Sequence, residues 1–247
     1  MAEDKFSKWA TGFSGCDGGD IGNHNIKSIW FCGIEWGGGD PADEEELCNT
    51  VFSENVDYPD EGYSKWNENL SYIFNWQAMK LLSAIKGGVV ESYKDFAEKN
   101  LPFTRGGKGY FKMNLYPLAF KNTSHALWES GFAKATGLEN KQEYISWIRL
   151  HRFPILKSWA DVYAPKLIVC VGKSYIADFY LAFADQGLKF NCEEIDDREL
   201  NWGINKNGTL VVVIPFMVNR NGLTRNISIQ KFGSRIREIL LRIDAAN

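Results

Sequence analysis

Short apolar runs alternate with longer amphipathic segments along most of the chain. Four of these runs are rich in β-branched or aromatic residues, and the first and third end at Gly33 and Gly172. Runs of this length and composition, closed by turn residues, are typical of buried strands. They predict strands over residues 26–32, 109–115, 166–171 and 210–214.

Helical periodicity fills most of the chain between and after these strands, over residues 69–84, 124–136, 141–162, 174–184 and 228–243. Asn140 and Ser228 are suitable N-caps, and Pro154 should kink or split the third helix. The apolar residues spaced to face a core are Ile73, Trp76, Met79 and Leu82 in the first helix and Ile229, Phe232, Ile236, Ile239 and Leu240 in the last.

Strands separated by helices predict an α/β fold, a three-layer sandwich with helices on both faces of a central four-stranded parallel sheet. The 247 residues, 45% hydrophobic and 24% charged, suit one large domain over residues 1–247. Residues 1–25 precede the first strand and are expected to form an N-terminal extension. Residues 40–65 are expected to form an acidic insertion.

Metal, cofactor and membrane functions have little support in the sequence. The five cysteines are scattered without a C-x2-C pair, and the three histidines have no metal-ligand spacing, so we expect no metal, iron–sulfur cluster or other cofactor. No apolar run approaches the roughly 18 residues that span a bilayer, and the N-terminus lacks the pattern of a secretory signal. A cytoplasmic protein is therefore expected.

Charge is distributed unevenly around a net value of −3. Between Asp40 and Glu61 there are nine acidic residues and no lysine or arginine, whereas residues 101–125 carry four basic residues and no acid. Residues 215–242 carry six basic residues and one acid. Basic stretches of this kind could follow a phosphate backbone or could be ordinary solvated faces, and the composition leaves both readings open.

Ligands of open parallel sheets bind beyond the carboxyl ends of the strands. Three loops lie there, residues 34–40, 116–121 and 216–224. The Gly172-Lys173-Ser174 turn lacks the earlier glycine of a phosphate-binding loop, and Gly37-Gly38-Gly39 lacks the spacing of a dinucleotide site. The sequence also contains no G-x-S-x-G motif. The candidate site therefore depends on other residues in these three loops.

Four side chains at these strand ends could act on a substrate. Glu35 closely follows the first strand, where a carboxylate could orient a water or stabilise a cation, although a surface carboxylate in a glycine-rich turn is an equally simple explanation. Asn114 could read a polar ring edge, or could satisfy the backbone of a turn. Trp36 and Phe74 could stack on a planar ligand, or could belong to the core.

Taken together, four segments resemble the uracil-DNA glycosylase superfamily. They occur in the family's order: a strand and glycine-centred loop, a helix preceded by an aromatic residue, a strand ending in asparagine, and two later strands. In this chain the segments read FCGIEWGGGDP, SYIFNWQAMKLLSAI, FKMNLYP, and KLIVCVG with LVVVIPF. The resemblance spans roughly residues 26–243.

The resemblance implies a four-stranded parallel sheet and an enzyme that flips a base from DNA and cleaves its N-glycosidic bond. By position, Glu35 would activate water, Asn114 would hydrogen-bond the flipped base, and Phe74 would stack on it. No histidine lies between Phe216 and Arg225, so the donor to the departing base would be Asn219 or Arg220. With Trp36 in place of a smaller residue, this points to a modified or damaged base other than uracil.

The resemblance implies DNA as the partner of a DNA-repair type of hydrolase, with no membrane contact and a monomeric state. The residues expected to contact DNA are Lys112, Lys121, Arg220 and Arg225. Two other functions remain open from the sequence. One is a non-catalytic DNA-binding or regulatory module with the same fold, and the other is an α/β enzyme acting on a small nucleotide-like metabolite.

Overall fold

A mixed sheet of seven strands organises the chain, with strand order β1-β3-β2-β4-β7-β6-β5. The structure is a computed structural model and describes residues 2–37, 43–120, 128, 130–219 and 221–246. The strands are β1 (Cys16–Gly19), β2 (Ile29–Gly33), β3 (Tyr110–Asn114), β4 (Leu167–Val171), β5 (Asn191–Ile195), β6 (Arg198–Ile204) and β7 (Leu210–Ile214).

The four predicted strands are present, and they are neighbours in the sheet. Strands β3, β2, β4 and β7 run parallel to one another, with Gly33 beside Asn114 and Ile29 beside Leu167. The expected total of four strands is wrong, because β1 pairs antiparallel with β3 at one edge and β6 and β5 add an antiparallel hairpin at the other. These three strands are polar or glycine-rich, so hydrophobic patterning does not reveal them.

Ten α-helices lie among the described residues. They are α1 (Ala2–Thr11), α2 (Glu44–Asn49), α3 (Trp66–Asn69), α4 (Ile73–Ile85), α5 (Tyr93–Asn100), α6 (Ser130–Thr136), α7 (Lys141–His151), α8 (Phe153–Tyr163), α9 (Ile176–Phe183) and α10 (Asn226–Ala246). The predicted break at Pro154 is confirmed, since α8 begins with Pro154 in its first turn. The predicted cap is also confirmed, because the Asn140 side chain accepts a hydrogen bond from the Glu143 backbone N–H at 2.9 Å.

Alternate residues of each central strand face two separate apolar layers. In β2, Trp30 and Cys32 pack on the side of α1, α2 and α6 to α9, whereas Ile29 and Phe31 pack on the side of α4, α5 and α10. Both faces of the parallel strands are therefore covered by helices, as expected of a strand with all five residues buried.

Two predictions about individual helices are wrong. Ile73 and Trp76 were expected in the core but are 52% and 36% exposed, because the buried positions of this turn include Asn75, whose amide donates to the Tyr63 hydroxyl at 3.0 Å. Ser228 does not begin the last helix, which starts at Asn226. The Ser228 hydroxyl instead hydrogen-bonds the Asp196 carboxylate.

The N-terminal segment and the acidic segment both belong to the core. Phe6 and Trp9 of α1 are almost fully buried, and Leu47 and Phe52 of the acidic segment join the same apolar cluster. Strand β1 is part of the sheet. Both segments therefore contribute residues to the core. No helix in the described ranges combines the length and the apolar character that a membrane span requires.

A buried arginine joins the N-terminal segment to the centre of the fold. Arg152, between α7 and α8, is 0% exposed, and its guanidinium donates to the backbone carbonyls of Leu115, Ala10, Gly12 and Ser14 at 3.0, 2.6, 3.1 and 2.6 Å. Buried carbonyls need such partners, because an unpaired one costs about 1–3 kcal/mol. Arg152 thus satisfies carbonyls that would otherwise be buried without a donor.

We expect Arg152→Leu to lower the free energy of unfolding by at least about 3 kcal/mol, because several buried carbonyls lose their only charged donor. Urea denaturation of the variant and the wild type measures the difference. Arg105→Leu is the matched control. Arg105 is 65% exposed and its ion pair with Glu61 lies on the surface, so its loss should cost less than about 1 kcal/mol. Equal losses in the two variants would contradict the role given to Arg152.

Candidate functional site

A cleft of about 610 Å³ opens at the carboxyl ends of β2, β4 and β7. Its walls come from residues 34–37 after β2, residues 172–175 after β4, residues 215, 216, 219, 221 and 222 after β7, and the β5–β6 hairpin. Phe120 completes the lining, so all three loops predicted from the parallel strands contribute to it. The cleft also has the size expected of a small-molecule or single-base site.

Glu35 lines this cleft and forms a buried ion pair with Lys141. Both carboxylate oxygens lie 3.4 Å from the Lys141 Nζ, and the two side chains are 7% and 2% exposed. The Lys141 Nζ also lies 3.6 Å from the centroid of the Phe120 ring. A cation over an aromatic face is stabilised by the ring quadrupole, so Phe120 helps to hold the ammonium inside the protein.

Burial raises the pKa of Glu35 to about 7, and the nearby charge of Lys141 limits the rise. The pKa of Lys141 is lowered, again chiefly by burial, with Glu35 acting in the opposite direction. A carboxyl group that titrates near neutral pH can both accept and return a proton under physiological conditions. Glu35 therefore has the electrostatic properties of an acid–base group.

Sequence reasoning missed Lys141. Its position at the first residue of α7 is marked by the Asn140 cap, but 106 residues separate it from Glu35. Only the packing of α7 against the β2 loop brings the two side chains together.

Asn114 and Phe74 meet at Gly33, immediately before the loop that carries Glu35. A Cβ atom at Gly33 would overlap the Asn114 Oδ1 and would lie 3.8 Å from the Phe74 ring, so a side chain here would displace the Asn114 carboxamide. The Asn114 amide also donates to the Gly15 carbonyl at 3.4 Å, and the Phe74 ring packs edge-on against Phe31. The structure therefore brings together the two residues predicted to hold a base, but neither of them is in the lining of the cleft.

Trp36 lines the cleft and is tied to the edge strand β1. Its indole Nε1 donates to Asp17 at 3.0 Å, and Asp17 also forms an ion pair with Lys112. The Lys112 side chain is 8% exposed and its Nζ lies 5.3 Å from the centroid of the Phe74 ring. Lys112, expected to contact DNA phosphates, thus belongs to the interior beside Phe74 and does not form part of the outer surface.

The remaining predicted residues lie in three different settings. Asn219 lines the cleft, in a turn where its backbone carbonyl accepts from the Gly222 N–H at 3.0 Å. Arg225 is exposed at the start of α10 and forms an ion pair with Asp196 at 2.7 Å. Lys121 and Arg220 fall outside the described residues.

The β5–β6 hairpin gives the cleft an acidic wall that the sequence did not predict. Glu194, Asp197 and Glu199 contribute carboxylates to the lining, and Arg198 contributes a guanidinium that donates to the Gly222 carbonyl at 3.0 Å. Opposite the hairpin, Lys173 forms an ion pair with Glu199 at 2.5 Å. These polar strands lack a regular alternation of apolar and polar residues, so the hydrophobic pattern of the sequence does not predict this wall.

Compared with protein-family models and with curated proteins, the chain matches none. Within the described ranges, no group of three or more His, Cys, Asp or Glu side chains is arranged to hold a metal ion. Any function proposed for this site therefore depends on the geometry of the site itself.

We expect Lys141→Met to raise the pKa of Glu35 above its wild-type value of about 7, because the substitution removes the positive charge that favours the carboxylate. Carboxyl ¹³C chemical shifts followed through a pH titration would measure it. Lys134→Met is the control, since Lys134 is exposed and lies near Glu44 on another surface. A Glu35 pKa that is unchanged or lower in the Lys141 variant would contradict the pairing.

Proposed function

We propose that this protein hydrolyses the N-glycosidic bond of a damaged or modified base that has been flipped out of DNA. The observation that carries the proposal is the meeting of the Asn114 carboxamide and the Phe74 ring at Gly33, with Glu35 two residues further along the same loop. Binding DNA as a monomer in the cytoplasm is part of the same proposal.

A carboxamide and a ring face are complementary to a nucleobase. The amide offers a donor and an acceptor to the polar edge of the base, and the ring offers a surface on which the base can stack. Stacking and hydrogen bonding in the pocket offset the few kcal/mol that flipping costs. The Trp36 indole lines the cleft and is fixed by its hydrogen bond to Asp17.

Glu35 supplies the group that acts at the sugar. As the bond from C1′ to the base breaks, its electron pair leaves with the base and the sugar becomes oxocarbenium-like. The Glu35 carboxylate stabilises that positive charge and takes a proton from the water that attacks C1′. Because its pKa is about 7, the ionised form that this step needs increases as the pH rises through 7.

The departing base needs a hydrogen-bond donor. Asn219 lines the same cleft, so its side-chain amide can donate to the base as negative charge develops on it.

Lys141 has a different role in this scheme. Its ammonium lies against both oxygens of Glu35 and positions the carboxylate.

We expect Glu35→Gln to reduce base release by about 10²- to 10⁴-fold, because the amide cannot accept the proton, while DNA affinity is retained. The measurement is abasic-site formation on a panel of DNAs that contain uracil, deaminated purines or bulky modified cytosines. Glu98→Gln is the control, since Glu98 is an exposed carboxylate on α5. Absence of base release by the wild type on every DNA of the panel would exclude the proposed activity.

The acidic hairpin favours a second candidate, an α/β enzyme that acts on a small nucleotide-like metabolite. Glu194, Asp197 and Glu199 face the cleft, and carboxylates at that position repel a polyanion more than a nucleoside or a base. This candidate uses the same pocket and the same carboxylate.

The salt dependence of DNA binding separates the two candidates. If the substrate is DNA, several phosphate contacts should make the affinity fall by orders of magnitude, about 10³ or more, between 50 and 200 mM salt. If the substrate is a small metabolite, DNA binding should be weak and nearly independent of salt. Fluorescence anisotropy with a labelled duplex across this salt range measures the slope.

A further inference from the structure

A second cavity, of about 190 Å³, lies at the opposite end of the sheet from the cleft. It opens where β2 and β4 begin, beside Ile29 and Lys166, and is closed by the C-terminal ends of α4 and α10. Each of these strands is five residues long, so the cavity and the cleft are separated by about 16 Å of sheet. No residue lines both.

Three cationic side chains converge on this cavity, those of Lys86, Lys166 and Arg237, with Asp244 as the one carboxylate in its lining. In the part of the chain that the structure describes, none of the three cations forms an ion pair. Three cations and one carboxylate therefore leave an excess of positive charge at a concave site. The C-terminal turn of α4 offsets part of the repulsion, because its carbonyl groups carry partial negative charge.

The positions of Arg237 and Lys166 are set by neighbouring parts of the fold. The Arg237 Nε lies 3.0 Å from where a Cβ would stand on Gly87, whose φ of 88° and missing side chain let the guanidinium pack against the helix end. Lys166 is half-buried at the start of β4, with its backbone N–H donating to the Ser28 carbonyl at 3.1 Å. Burial, together with the charge of Lys86, lowers the pKa of Lys166 to about 8.

We propose that this cavity binds a phosphate group, supplied by orthophosphate or by a small phosphomonoester. Two lysines and an arginine line the cavity, and their ammonium and guanidinium groups are donors that suit the several oxygens of a phosphate. A bound dianion offsets the repulsion between Lys86 and Lys166 and favours the charged form of Lys166. The proposal is independent of the activity assigned to the cleft.

The apolar part of the lining favours the phosphomonoester. Ile29, Leu240 and Leu241 form a wall beside the cations, and a short carbon chain attached to the phosphate would contact it. Burying each methylene group of such a chain adds about 0.8 kcal/mol, or about fourfold in affinity.

The test compares thermal unfolding of the full chain in potassium phosphate and in potassium chloride at equal ionic strength and pH 7. A phosphate concentration of ten times Kd should raise the Tm by about 3 to 6 °C above the chloride value. Lys86→Gln should weaken phosphate binding by about tenfold or more, because it removes a charged donor. Lys86 is exposed, so this variant should fold normally.

Lys134→Gln is the matched control, because it removes an exposed lysine on α6 and should leave the phosphate effect unchanged. Equal stabilisation by phosphate and chloride, or equal phosphate affinity in wild type and Lys86→Gln, would overturn the proposal. Propyl phosphate, an ester with a short apolar chain, tested beside orthophosphate identifies the source. Tighter binding of the ester points to a phosphomonoester, and equal binding of the two points to orthophosphate.

Discussion

The buried guanidinium of Arg152 connects the N-terminal segment, the sheet and the candidate site. It donates to the carbonyls of Ala10, Gly12 and Ser14 on one side and of Leu115, directly after β3, on the other. The neighbouring Gly15 carbonyl accepts from both the backbone N–H and the side-chain amide of Asn114, at 2.8 and 3.4 Å. The orientation of the Asn114 carboxamide therefore depends on where Arg152 holds the N-terminal segment.

Charged side chains are arranged differently at the two ends of the sheet. At the carboxyl end, Glu35 and Lys141 form a closely spaced pair, and burial moves both pKa values toward neutrality. At the amino end, Lys86, Lys166 and Arg237 share one carboxylate, which leaves net positive charge at a cavity. Buried charges are costly unless they are paired, and the Glu35–Lys141 pair meets that need within the chain. The excess positive charge at the amino end is suited to an added anion.

The candidate site was predictable where it depends on strand ends. Glu35, Trp36 and Asn219 follow apolar strands that patterning reveals, and the rule that ligands bind beyond the carboxyl ends of parallel strands places their loops together. The acidic wall and Lys141 were not predictable. The wall is built from polar edge strands, and Lys141 reaches Glu35 through the packing of a helix distant in sequence. The sequence predicted a surface position for Lys112, but its side chain is buried and forms an ion pair with Asp17 of β1.

The sequence by itself determined the four central strands, the break at Pro154, the cap at Asn140 and the apolar face of α10, because each depends on local backbone chemistry or on a short hydrophobic period. Only the tertiary structure decided the three antiparallel strands, the burial of Phe6 and Trp9 in the core, and the partners of Glu35 and Asn114. These features depend on contacts between distant segments, in which polar groups are buried against specific partners. The local pattern of hydrophobic and polar residues does not indicate such contacts.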